Sequence, residues 1–387
     1  MELAGVLQAC GDDEGALDLL IQARDTYAQT ASLGGTKIFL NPSRLSECIA
    51  RLGDAYGRCG QGGRALDCFR QAEKICLAAE DLQGLAKHQC GMARFYFRGD
   101  KGAKLSREEL EVAAGKLGES LEACKKQGNR RGVAECLLVQ GVMYHMEDNR
   151  QEGDAKLKLA HDLYKELACR KGMAEALHLL GAMGGGSPQG ILHYEQAVQI
   201  SKQGGDMASQ ARSLMDLARL QARLKNRPAA TKCWEEALTI KKLYGDREAT
   251  KLCLTELCTL HEQVDDFGIT VELAHELKEA AVATRDAERE AVAWSMIARG
   301  EAGSGNLGQA EEALVNCIAR CQDLEGSEMS DLLMADSHDK LGQLLRVQER
   351  HEEADRETAE AQRIKRQAGL NVVSEKDLNN QRPKRKV

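Results

Sequence analysis

Three histidine-glutamate pairs, His261-Glu262, His275-Glu276 and His351-Glu352, carry the residue types with which a helix holds zinc and activates water. That chemistry needs a second histidine four residues after the first, so that both imidazoles reach one metal. Asp265, Glu279 and Asp355 stand there instead, so the pairs read as solvated helix faces and no metal or other cofactor is expected. Cys317 and Cys321 lie one helical turn apart, but two ligands make an incomplete site, and they read as a packing pair. The run Gly184-Gly185-Gly186-Ser187-Pro188-Gln189-Gly190 has the glycines of a phosphate cradle without the terminal Lys-Ser/Thr. It reads as a shortened turn between helices. His145, His178 and nearby cysteines could serve an enzyme only if the fold brought them together around a pocket.

The elements that position these residues are helical. The chain has 387 residues with 4 prolines and 4% aromatics, and it is rich in Ala, Leu, Glu, Lys, Arg and Gln, which suits closely packed helices and leaves strands unexpected. The 53 basic and 60 acidic residues give a formal charge of −7, which supplies no field for nucleic acid or an anionic membrane. No apolar run approaches the roughly 20 residues needed to span a bilayer, so a soluble cytoplasmic protein is expected. The 14 cysteines are scattered without a Cys-x-x-Cys pair and read as reduced thiols, with Cys48, Cys68, Cys90, Cys258 and Cys317 at small packing positions.

A repeat organises the chain. Its clearest copy is Ile49-x-x-Leu52-Gly53-x-x-Tyr56, with Ala65, Phe69 and Ala72 following 12, 16 and 19 residues after Gly53. The same offsets lead from Ala218 to Ala230, Trp234 and Ala237, from Ala298 to Ala310, Leu314 and Cys317, and from Gly342 to Ala354, Thr358 and Ala361. Weaker copies start at Ala4, Gly141 and Cys258, while Gly91 and Gly181 anchor copies whose turns are lengthened or shortened. The nine anchors, at 4, 53, 91, 141, 181, 218, 258, 298 and 342, are mostly spaced near 40 residues. A small anchor admits a neighbouring helix and the larger residue 16 positions on fills the gap, so no pair buries its face alone. The chain reads as if it began within a repeat, and Glu352 to Ala368 as a charged helix capping the far end.

These residues resemble the tetratricopeptide repeat family, whose pattern runs Leu-Gly-x-x-Tyr, then Ala, Phe and Ala. The family's units are about 34 residues long; the longer spacing here, with turns such as Gln127-Gly128-Asn129 and Tyr244-Gly245-Asp246, is similar to that of G-protein-signalling modulators, rapsyn and kinesin light chain. The resemblance implies an all-α, right-handed superhelical solenoid of about nine helix-turn-helix repeats over residues 1–369, followed by a polar and basic tail, 370–387. It also implies that first helices line a groove, with residues 6 and 3 before each anchor and 1 and 4 or 5 after it pointing inward.

Those offsets select His88, Phe95, Leu138, Val142, His145 and His178 as a mainly apolar lining, then Arg212, Met215, Arg219, Arg223, Arg299 and Arg346 as a basic one. Such a groove suits an amphipathic partner segment, apolar at one end and acidic at the other. Glu256, Glu262 and Asp339 are the acids that could neutralise some of the arginines. Arg94, in the place of Tyr56, is expected to snorkel or pair with an acid. The chaperone-binding members' inward Lys and Asn are missing, and no anchor is followed by the Asn of the spindle-orienting members. The implied role is a non-enzymatic scaffold that binds proteins in cytoskeletal, ciliary or trafficking assemblies. The tail Arg382-Pro383-Lys384-Arg385-Lys386 has the character of a nuclear-import signal, which makes a nuclear adaptor the alternative.

Overall fold

Left-handed backbone conformations recur every twenty residues along much of this chain: at Gly128, Asp148 and Ala168, then at Gly205, Lys225, Gly245, Asp265, Arg285 and Gly305. Each ends one helix in the same way. The backbone N–H of the residue after the left-handed one reaches back over the last turn, as in Asn129 to Cys124, Asn226 to Gln221 and Asp286 to Ala281, which satisfies carbonyls that the helix leaves open. That same residue then starts the next helix, and where it is Asn129, Asp206 or Asp286 its side chain accepts the N–H three residues on. A residue that stops one helix therefore starts the next.

The computed structural model describes residues 13–28, 30–33, 36–39, 41–58, 61–81, 84, 88, 107–184, 186–324 and 328–368. The anchors at Ala4 and Gly91, the residues Cys90, Arg94 and Phe95, and the tail with Arg382, Lys384, Arg385 and Lys386 lie outside them. The described helices are α1 (Asp13–Tyr27), α2 (Pro42–Arg58), α3 (Gly62–Ala78), α4 (Arg107–Lys126), α5 (Arg130–Met146), α6 (Arg150–Glu166), α7 (Arg170–Met183) and α8 (Pro188–Gln203). They continue with α9 (Met207–Arg223), α10 (Arg227–Tyr244), α11 (Arg247–Glu262), α12 (Phe267–Thr284), α13 (Ala287–Gly303), α14 (Leu307–Gln322), α15 (Glu328–Val347) and α16 (His351–Gln367). The helix-pair, all-α architecture expected from the repeat is the one observed. One local departure lies between α1 and α2, where β1 (Thr30–Leu33) and β2 (Thr36–Phe39) form an antiparallel hairpin with Ala31 opposite Ile38. Helix-favouring composition is a chain-wide average, and it gives no warning of a short Thr-rich and Ile/Phe-containing stretch around Gly34-Gly35.

The chain divides into two compact units, Met1–Asp246 and Arg247–Val387. In the first, each helix packs on the next from α4 through α10, and α5 also touches α7, and α7 touches α9. In the second, α11 touches α13, and α13 touches α15. Contact between alternate helices puts α5, α7 and α9 in an inner layer of the first unit, and α11, α13 and α15 in one of the second.

The repeat offsets mark the packing. Ala65, Ala230, Ala310 and Ala354 are fully buried, as are Ala72, Ala160, Ala237 and Ala361. Phe69, Trp234, Leu157 and Leu314 fill the gaps between them, and a fully buried side chain of that size contributes about 2 to 3 kcal/mol. The anchor has to be small: a Cβ at Gly141 would lie 2.6 Å from Leu157 Cγ, and one at Gly181 would lie 2.8 Å from Tyr194 Cγ. Where a short turn was expected, the Ser187 hydroxyl caps α8 by accepting the Gly190 N–H at 3.2 Å, and Pro188 to Gly190 already belong to that helix.

Candidate functional site

Helix α9 shows how the sequence makes an exposed charged stripe on an otherwise buried helix. Ala211, Leu214, Leu217, Ala218 and Leu220 recur at intervals of three and four and are buried. Arg212, Asp216, Arg219 and Arg223 occupy the remaining face at the same intervals. Asp206 sets the start of the helix by accepting the Ser209 N–H at 3.0 Å.

The stripe is partly self-neutralised. Arg212 binds Glu175 of α7, 37 positions earlier. Arg219, 46% exposed, binds Asp216 on its own helix at 2.8 Å and lies 5.6 Å from the centre of the buried Trp234 ring. Arg223 is exposed and makes no ion pair among the described residues. Met215 on α9 and Val142 on α5 are half-buried.

The apolar half of the expected groove is mostly closed. Leu138, 2% exposed, packs with Leu157, Tyr164, Ala176 and Leu177 in the core between α5, α6 and α7. His88 and His178 are also buried. Leu138 and His178 stand three residues before an anchor and are packed inside, whereas Met215, at the same offset, is half-buried. The His145 side chain is sealed too, with Nε2 2.8 Å from Asp154 Oδ1 on α6. These four side chains are buried and offer a partner almost no surface. In the second unit Arg299 pairs with Glu262 at 3.0 Å, and Arg346 with Asp355 at 3.3 Å. Glu262 is therefore a neutralising acid, as anticipated, whereas Asp339 binds Lys365.

One constellation was not legible in the sequence. His178 Nδ1 is 3.1 Å from the Ser213 hydroxyl, and its Nε2 is 3.5 Å from Asp216 Oδ2. The residue types are those of an acyl-transfer triad. Ser213 is 1% exposed, so no substrate reaches its oxygen, and the cluster serves as a joint between α7 and α9. The residues are 35 and 38 positions apart, and only the repeat length, added to a known first-helix face, could have paired them. The cluster does not include His145, which faces Asp154 on α6, so the two histidines proposed for an enzyme engage separate partners.

Burial pushes the Cys124 and Cys233 thiols up to about 11 and Cys258 up to about 12, which keeps them protonated and unreactive near neutrality. Cys317 directs its thiol to the Ala291 carbonyl oxygen at 3.2 Å. Among the described residues no group of three or more His, Cys, Asp or Glu side chains could hold a metal ion. Nor is any described helix long and apolar enough to cross a membrane.

No protein-family model and no curated protein matches the chain. Among solved structures it resembles a STAND signal-transduction ATPase with a tetratricopeptide repeat sensor from Pyrococcus horikoshii, with a TM-score of 0.57 at 13% identity over 94% of this chain. The aligned part is 54% of that protein, so the chain spans about half its length. It also aligns with BtubC from P. vanneervenii (TM-score 0.46, 16% identity, 60% of this chain and 94% of that one). A third alignment is with a Rap protein complexed with Competence and Sporulation Factor (TM-score 0.44, 13% identity, 95% and 97%). The last two superpositions are too loose to argue from. The first agrees with the buried repeat offsets and the inner layer of first helices: this is an all-α fold of tetratricopeptide-like helix pairs.

Proposed function

We propose that the chain is a protein-binding scaffold and that the inner face of the first unit, centred on α9, receives an acidic segment of a partner. The observation that carries this reading is the stripe of Arg212, Arg219 and Arg223, two of them exposed, beside half-buried Met215. Arg223 offers a fork of donors that matches a carboxylate, and Arg219 can exchange its own-helix acid for one on a ligand at small cost, since exposed pairs are worth about 0 to 1 kcal/mol. With the apolar half of the groove closed, the arginine stripe becomes the centre of the surface. The longer repeats, similar to those of G-protein-signalling modulators, rapsyn and kinesin light chain, make cytoskeletal, ciliary or trafficking assemblies the proposed setting.

Affinity purification with mass spectrometry tests this reading. Partners captured by the wild type are expected to be lost from the Arg219→Glu/Arg223→Glu variant and retained by Arg346→Glu. Equal recovery with all three proteins overturns it.

A further inference from the structure

We propose that the joint where α7 meets α8 and α9 is a pH-sensitive coupling: protonation of the His178 imidazole opens it, so mild acid loosens neighbouring helix pairs while each helix stays wound. The imidazole is 7% exposed and enclosed by three helices. The Tyr194 ring of α8 meets it edge to face at 5.4 Å and 71°. Ser213 and Asp216 of α9 face its two nitrogens.

A buried imidazolium survives only if nearby carboxylates compensate its lost hydration. The charged groups acting on this ring are Arg212 and Asp216 from α9 and Glu175 from α7 itself. Both acids are already engaged, Glu175 by Arg212 and Asp216 by Arg219, and Asp216 lies 3.5 Å from Nε2, beyond a good hydrogen bond. Burial first, then the Arg212 guanidinium, hold the ring below the usual histidine range, against the opposing pull of Asp216 and Glu175.

A second imidazole, on α8 but facing α6 and α7, is shifted in the same direction. His193 of α8 has Nδ1 buried with no hydrogen-bond partner among the described residues. Burial, then Lys158, lower its affinity for a proton; His161 adds to this, while Asp154 and a hydrogen bond to the Leu180 backbone oppose it.

The sign follows from linkage. A ring that stays neutral in the closed joint but charges when released makes opening more favourable as pH falls below its free value of about 6.5. Each pH unit below that value, down to the ring's closed-state value, favours opening about tenfold.

Hydrogen exchange on the full chain at pH 7.5, 6.5 and 5.5, corrected for intrinsic rate, reads this directly. Protection of α7–α9 amides is expected to fall between pH 6.5 and 5.5 relative to α13 and α14, by up to about tenfold, and His178→Gln is expected to remove most of that fall. Unchanged wild-type protection, or the same fall in the variant, overturns the proposal. Should the variant fail to fold, NMR titration of the wild-type His178 ring decides: a ring still neutral at pH 6 supports the joint, and one titrating at 6.5 or above overturns it.

Discussion

Helices α9 and α11 are first helices of consecutive pairs, yet they treat their cations in opposite ways. On α9 the arginines lie on the surface, where water screens Arg219 and Arg223. On α11, Lys251 is 1% exposed, and its ammonium is held by Asp286 at 2.5 Å, Thr284 at 3.1 Å and Glu248 at 2.7 Å. Asp286 also caps α13. The cation on α11 is thus tied into the start of the next pair, while those on α9 leave an open face. Residue type does not set this difference, nor does an acid one repeat away, since Arg212 also has one in Glu175; burial does, with the Arg212 side chain 38% exposed and that of Lys251 1%. Arg299 in the second unit is like Arg212, since Glu262, 37 positions earlier, takes up its charge.

Removing the acid of the sealed pair is expected to have the largest effect. Asp286→Ala strips Lys251 of its closest partner and α13 of its cap, and should cost the second unit about 3 kcal/mol in urea unfolding. Burial pushes the Asp286 carboxyl up, but hydrogen bonds from Lys251 and the Arg289 N–H bring it below the usual range overall. Its contribution is therefore present above pH 4 and lost as pH falls through the lowered value. An unchanged unfolding midpoint would mean that Glu248 alone can satisfy the buried ammonium.

A smaller effect is expected where the pair is half-exposed. Arg299→Glu replaces an ion pair with two like charges and should cost about 1 kcal/mol by the same measurement, whereas Arg223→Glu should leave stability within about 0.5 kcal/mol. Equal losses for the two would erase the contrast between open and engaged arginines.

The smallest effect concerns the turns that follow. The turn after α9 places Lys225 at φ 61°, whereas the turn after α10 uses Gly245 at φ 67°. Lys225→Gly relieves a side chain held in the left-handed region and should raise stability by about 0.5 kcal/mol in thermal melts.

Much of the architecture could be read from the residues because packing leaves a local trace. Gly53, Gly141 and Gly342 announce close helix approach, and Ala65, Ala230 and Ala354 announce the helices that approach them. The arginine stripe was legible for a similar reason, since helical spacing fixes which residues share a face. Its electrostatics were not: Glu175 and Arg212, or Lys251 and Asp286, meet only through the stacking of successive pairs, and no single helix shows that. Position three before the anchor is not uniform: the resemblance supplies one direction for it, while Leu138 and His178 are buried and Met215 is half-buried. The hairpin at 30–39 was missed because a few residues of strand character barely alter the average of a helical chain.

The identity of the turns after first and second helices has a consequence for insertions and deletions. Losing a twenty-residue block anywhere between 128 and 168, or between 205 and 305, would leave every remaining join chemically sound. It would also invert the roles of all later helices, turning inner faces outward and exposing alanines cut to fit a neighbour. Changes of forty residues preserve that alternation, so length variation in such a chain should be quantised in doubled steps.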